Sequence, residues 1–171
     1  MTLHILGALL IAGASLTTGL SYVAGEHKKL NNLSSLLQML REMRGELESR
    51  ASPLPQLMER LSHSSGGAAG DFARELCSRI GELGEKEFNR IWSESLSAAI
   101  PALDRADAEL LHALGRSLGR YELLRQLAEL DSCICTLESR VSACSAGLPE
   151  KRRMGLGLDC SLGALLLIVL I

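Results

Sequence analysis

The two ends of the chain are almost free of charge, and this constrains the fold more than any other feature. Residues 2–25 contain no formally charged side chain, and the 17 residues 155–171 contain only Asp159. About 20 apolar residues in a helix cross the hydrocarbon of a bilayer, and 17 lie at the short edge of the range. The sequence therefore predicts an N-terminal transmembrane anchor at residues 1–25 and a C-terminal one at residues 153–171.

The N-terminal segment has a second interpretation, as a cleaved signal peptide. Such a peptide carries cations before its apolar stretch and small residues at the cleavage site. In this chain Lys28 and Lys29 follow the stretch, and Tyr22 stands where cleavage after Ala24 needs a small residue. An uncleaved anchor is favoured, and the positive-inside rule keeps the two lysines cytoplasmic.

The C-terminal run begins behind a cluster of cations at the membrane edge, formed by Lys151, Arg152 and Arg153. Residues 162–171 are apolar on every face of a helix, which favours lipid over the core of a soluble protein. The cations belong among cytoplasmic headgroups. Both ends therefore predict that residues 26–152 form a cytoplasmic domain.

Asp159 is the one acid in this run, six residues beyond Arg153. That is about 9 Å along a helix, still close to the membrane surface. Two interpretations stay open. Asp159 is either a substitution tolerated at a wet boundary or part of a packed helix–helix interface, because Gly155 and Gly163 share its face.

The middle of the chain has the apolar spacing of helices throughout. Two long seams bracket it, and prolines at 53 and 55 start a short helix between them. The seams are Leu30, Leu33, Leu37 and Leu40, and Leu127, Leu130, Ile134, Leu137, Val141 and Cys144. The sequence predicts an all-α fold, an antiparallel helical bundle in which the two long helices pair and shorter ones pack beside them.

Local signals place the shorter helices. Residues 64–70, rich in Ser, Gly and Ala, predict a flexible connector. Asp71 and Asp107 each predict a helix N-cap. The pair Asp104/Asp107 is interpreted as part of a solvated face, and a helix is expected over residues 86–100 with Trp92 on its apolar side.

Composition argues against most kinds of chemistry. A net charge of −2 and 3% aromatic residues do not suit a nucleic-acid binder. The four histidines are isolated, and the five cysteines form no C-x-x-C pair, so they are interpreted as small apolar fillers in a reducing compartment. His112 near Glu109 resembles an acid–base pair by proximity alone. We therefore predict no catalytic residue, no metal, no cofactor and no small-molecule substrate.

The most distinctive segment is the Leu-Gly corner, formed by the two Leu-Gly pairs Leu114-Gly115 and Leu118-Gly119. Glycine at such a corner permits either a positive φ or close packing. Together with Pro53-Leu54-Pro55, Trp92 and the apolar end behind its cations, the corner resembles the stage III sporulation protein AB family in an ordered set covering nearly the whole chain.

The resemblance implies a function. Members of that family are membrane proteins of endospore-forming bacteria, in a secretion-like complex of the mother-cell membrane that joins mother cell and forespore. Their soluble part is similar to the cytoplasmic domains of the platform F proteins of type II secretion and type IV pilus machines. The resemblance implies an assembly component without a reaction of its own, whose partners are a secretion-type ATPase and other membrane subunits.

A candidate interaction surface follows from the same segment. We call it the corner face: Arg116, Arg120, Glu122 and Gln126. It is charged and local, and Glu122 keeps the charge of an Asp in the family pattern. Its alternative is a plain solvated face.

Two other functions stay open: a two-anchor membrane adaptor or regulator unrelated to sporulation, and an enzyme whose site assembles from dispersed residues.

Overall fold

A computed structural model of the chain describes residues 25–49, 53–118 and 122–147. This part of the chain lies in six α-helices, of which the first and last extend beyond it. A short 3-10 helix, Ile80–Glu82, follows the third. The α-helices are α1 (Thr2–Arg50), α2 (Leu54–Ser64), α3 (Gly67–Arg79), α4 (Phe88–Ala99), α5 (Arg105–Ser117) and α6 (Leu123–Leu170).

The chain divides into two compact units. One comprises residues 1–30 and 142–171, and the other residues 31–141. The all-α prediction is confirmed, since the described residues contain one isolated bridge, between Leu83 and Lys86, and no strand. No helix is long and apolar enough to span a membrane within those residues. The predicted anchors, residues 1–25 and 153–171, lie outside the described part except for Gly25.

The unit of residues 31–141 has its core between the two long helices and the four short ones. The apolar spacing read from the sequence recurs as burial. The buried side chains of the long helices are Leu33, Leu36, Leu37, Met39, Leu40, Met43 and Leu47 of α1 and Leu130, Cys133, Ile134 and Leu137 of α6.

Ion pairs show that α1 and α6 are antiparallel in this unit. Arg41 pairs with Glu138 at 2.6 Å, and Arg44, three residues later, pairs with Asp131, seven residues earlier. The hydrogen bond with Asp131 is the main cause that raises the pKa of Arg44. The two pairs show the register in which the helices lie. Because the side chains are exposed, the pairs add little stability.

The predicted connector over residues 64–70 is wrong in extent, and Asp71 is not an N-cap. Helix α3 already begins at Gly67, which takes a φ of +60° that glycine adopts without strain. A Cβ at Gly70 would lie 3.0 Å from the carbonyl carbon of Ser65. The small residues therefore let the first turn of α3 pack closely, instead of forming a loose loop.

Trp92 lies at the centre of the short helices and is fully buried. Its Nε1–H donates to the carbonyl oxygen of Leu111 at 2.9 Å, and its ring meets the ring of Phe72 edge-on at 4.8 Å. A Cβ on Gly115 would lie 2.6 Å from the indole Cγ and 2.8 Å from Nε1. Gly115 is therefore a close-packing glycine inside α5, and this contact sets the distance between α4 and α5.

Asp107 is neither an N-cap nor part of a solvated face. Helix α5 begins at Arg105 with Asp104 at its N-cap position, one turn earlier than predicted. This places Asp107 in the first turn, where it is 2% exposed and forms an ion pair with Arg140 of α6. The pair joins a short helix to a long one.

We expect Asp107→Ala to destabilise the protein by about 1–3 kcal/mol, because it removes the buried partner of Arg140. The control is Asp71→Ala, which removes an exposed partner of Arg74 and should change stability by less than about 0.5 kcal/mol. Thermal unfolding of the full chain, followed by circular dichroism, compares the two. Equal melting temperatures for both variants would contradict the structural role of Asp107.

Two helical glycines should respond to alanine in opposite directions. Gly45→Ala in α1 meets no atom within 4 Å and should stabilise by about 0.5–1 kcal/mol, the usual gain over glycine in a helix. Gly115→Ala meets the indole of Trp92 and should destabilise by about 1–3 kcal/mol. The same melting experiment measures both, and a stabilising Gly115→Ala would show that Trp92 moves aside without cost.

Candidate functional site

A polar groove runs beside the contact between Trp92 and Gly115. It has a volume of about 910 Å³ and is formed by α4, α5 and the end of α3. We call it the α4–α5 groove. Its lining residues are Arg79, Asn89, Ser93, Glu94, Ser97, Glu109, His112 and Arg116.

Each wall of the α4–α5 groove is a polar stripe along one helix. Residues three or four positions apart share a helix face, so each stripe is continuous over about two turns. Trp92 and Gly115 lie on the core-facing sides of the same two helices. Their contact holds the helices together and thereby positions both stripes. The α4 stripe is Asn89, Ser93 and Ser97, and the α5 stripe is Glu109, His112 and Arg116.

One part of the groove lining is an ion-pair cluster around Glu94. Its carboxylate accepts hydrogen bonds from Arg90 at 2.9 Å and from Arg79 at 3.3 Å, and Lys86 lies 3.7 Å away. The hydrogen bond from Arg90 is the main cause that lowers the pKa of Glu94, and the charge of Lys86 adds to it. Arg79 also bonds Glu75 at 2.7 Å. Glu94 is therefore ionised, and its charge is already balanced.

Other groups that line the groove lack partners. Arg116 is exposed, and it has no hydrogen bond or ion pair in the described part of the chain. Nδ1 of His112 and Oδ1 of Asn89 are buried atoms that also lack a hydrogen-bond partner there. Glu109, in contrast, is paired with Arg105 at 2.9 Å. Buried polar atoms are normally paired, so the groove has unused hydrogen-bonding capacity.

The corner face is divided between α5 and the region where α6 begins. Arg116 lies in the α4–α5 groove with His112. Glu122 immediately precedes α6, and its carbonyl oxygen accepts the N–H of Gln126 in the first turn of that helix at 3.1 Å. Leu124, between those two in sequence, is 80% exposed. Arg120 lies outside the described residues.

The Leu-Gly corner begins inside α5. Leu114 and Gly115 belong to the last turns of that helix, and Leu118 is its buried C-cap, whose N–H donates to the carbonyl of Leu114 at 3.1 Å. Gly119 lies outside the described residues. The same holds for the predicted membrane-edge residues, which are Lys151, Arg152, Arg153 and Asp159.

The groove is suited to binding by charge and hydrogen bonds. Among the described residues no group of three or more His, Cys, Asp or Glu side chains is placed to hold a metal ion.

Burial raises the pKa of the Cys133 thiol to about 12, so this thiol is protonated at neutral pH and is a poor nucleophile. Cys133 therefore acts as an apolar core residue.

Sequence reasoning found Arg116 but missed the α4 stripe of the groove. The signal was available, because Asn89, Ser93 and Ser97 follow at intervals of four within the helix predicted around Trp92. A reading of the polar face of that helix, in addition to its apolar face, would have found the stripe. Arg79 comes from α3 and gave no such signal.

The lowered pKa of Glu94 gives stability above the usual pKa of 4.5, and this stability is lost as pH falls through the lower folded value. We expect Glu94→Gln to melt lower than wild type at pH 7 and to lose less stability between pH 7 and pH 3. Melting curves across this range measure the effect. Glu59→Gln is the control, because Glu59 is exposed and its carboxylate is unpaired among the described residues; a Glu94→Gln profile parallel to wild type would contradict the role of the cluster.

Comparisons with known proteins agree with this fold. The curated proteins contain no match to the chain. A solved structure of stage III sporulation protein AB is similar with a TM-score of 0.64 and 14% sequence identity, and the similarity covers 71% of this chain and 97% of that one. At this identity the likeness shows the fold alone. The family model described as stage III sporulation protein AB matches residues 4–171. Because the match spans nearly the whole sequence, the chain belongs to the stage III sporulation protein AB family.

Proposed function

We propose that this protein is a non-enzymatic assembly component of a secretion-like channel complex between mother cell and forespore. The observation that carries the proposal is the family match over residues 4–171, which includes both apolar ends as well as the helical unit. A role in sporulation follows from the family. The place in a channel complex is the proposed step, and the binding character of the α4–α5 groove supports it.

We place the protein in the mother-cell membrane with two anchors, residues 1–25 and 153–171, and with residues 26–152 in the cytoplasm. The absence of formal charge from residues 2–25 and the lysines that follow them support this topology. In this arrangement Asp159 lies near the cytoplasmic edge. Both anchors would hold the helical domain close to the membrane surface, where the other subunits of a channel complex lie.

We assign partner binding to the corner face, and we expect membrane subunits and the secretion-type ATPase of the same complex as partners. Arg116 and Glu122 are exposed charges that do not pair with each other. Two of the large apolar residues exposed in the described part of the chain, Leu123 and Leu124, lie beside Glu122. Charged and apolar groups side by side are typical of a surface that binds another protein transiently.

The test is a double charge reversal, Arg120→Glu with Glu122→Arg. We expect the variant to fold as wild type, since Glu122 is exposed, but to recover at least fivefold less of the other complex subunits from solubilised membranes of sporulating cells. Spore yield in the same strains gives a second measurement. The matched control exchanges the exposed ion pair on α3, Asp71→Arg with Arg74→Asp, which should leave recovery unchanged.

Two results would contradict the proposal. If the corner-face variant recovers as many subunits as wild type, the corner face is a solvated surface without a role in partner binding. Normal spore formation in cells that lack the protein altogether would argue against a required place in the channel complex.

A further inference from the structure

We propose that the α4–α5 groove binds a short acidic segment of a protein partner, with Arg116 as its anion-binding residue. This deepens the proposed function, on which it rests, because the partner is expected to be another subunit of the complex. What the groove can bind depends on which of its groups are already paired and which are not.

The unpaired charge of the groove is positive. Four ionised side chains line it, and both carboxylates among them have partners: Glu94 bonds two arginines, and Glu109 bonds Arg105. Arg79 is held between Glu75 and Glu94. Arg116 remains, with five N–H donors and no partner in the described part of the chain. A carboxylate is the group that this guanidinium binds best in a protein partner.

The neutral groups of the groove favour a peptide over a simple anion. Oδ1 of Asn89 is a buried acceptor without a partner, and it needs a donor. Nδ1 of His112 is likewise buried and unpaired. A peptide supplies N–H donors and carboxylates together, whereas a phosphodiester has acceptors alone. An acidic segment therefore offers a carboxylate to Arg116 and N–H donors to Asn89, whose side chain must turn to expose its buried Oδ1.

The dimensions of the groove limit the length of this segment. The α4 stripe extends from Asn89 to Ser97, and the α5 stripe from Glu109 to Arg116. At 1.5 Å per residue these stripes are about 12 Å and about 10 Å long. Such a length accommodates about two turns of a helix or about four extended residues, with a single carboxylate at the Arg116 end.

Fluorescence anisotropy of the purified full chain in detergent tests the inference. The probe is a fluorescein-labelled alanine-based helical peptide with glutamate at every fourth position, and its counterpart has glutamine there. We expect the glutamate peptide to bind at least fivefold more tightly than the glutamine peptide. Arg116→Glu should weaken the glutamate peptide about tenfold, and Arg116→Lys should weaken it less, because lysine keeps the charge but not the planar fork.

The matched control is Arg74→Glu, which makes the same change of charge on α3, outside the groove. It should leave peptide binding within about twofold of wild type. Circular dichroism of each variant shows whether it is folded.

Several outcomes would overturn the inference: absence of binding by the glutamate peptide, equal binding of the two peptides, or equal weakening by Arg74→Glu and Arg116→Glu. Binding through Arg116 to phosphatidylglycerol vesicles but not to the peptide would also overturn it, in favour of a lipid site. If any of these occurs while recovery of the complex still depends on Arg120 and Glu122, the proposed function stands and only the groove assignment fails.

Discussion

The indole of Trp92 lies directly on the backbone of α5 at Gly115, and the arrangement of the short helices depends on this contact. The largest side chain of the chain is wholly buried because its one polar atom is satisfied by the carbonyl of Leu111. The same ring packs at nearly a right angle against the ring of Phe72 in α3. One residue therefore fixes three helices, and the walls of the groove take their spacing from it.

The general fold could be predicted from sequence because it depends on apolar periodicity, which is local. The seams of the long helices and the apolar side of α4 were recognised in this way. The burial of Asp107 was not predicted, since it depends on the ion pair with Arg140, 33 positions later in the chain. As a short acidic residue near a helix start, Asp107 has the same local signature as a cap. Residues 64–70 were misread for a related reason, because small residues that permit close packing have the composition of a loop.

The candidate site was only half predictable for the same physical reason. A polar stripe on one helix is visible in the sequence, but the pairing of two stripes across a groove depends on how the helices cross. Arg116 was recognised through its place near the Leu-Gly corner, whereas its difference from Arg79 is a tertiary property. Arg79 reaches two carboxylates on α3 and α4, and Arg116 reaches none among the described residues. The capacity to bind thus follows from what the fold leaves unpaired.

Trp92 and Ser93 are neighbours in sequence, yet one side chain is in the core and the other lines the groove. Each residue of a helix is turned by about 100° from the one before. Insertion of a single residue between Asn89 and Trp92 would turn Asn89 by about 100° relative to the indole and out of line with Ser93 and Ser97. The polar stripe of α4 therefore depends on the number of residues between its polar and core positions, as well as on their side chains.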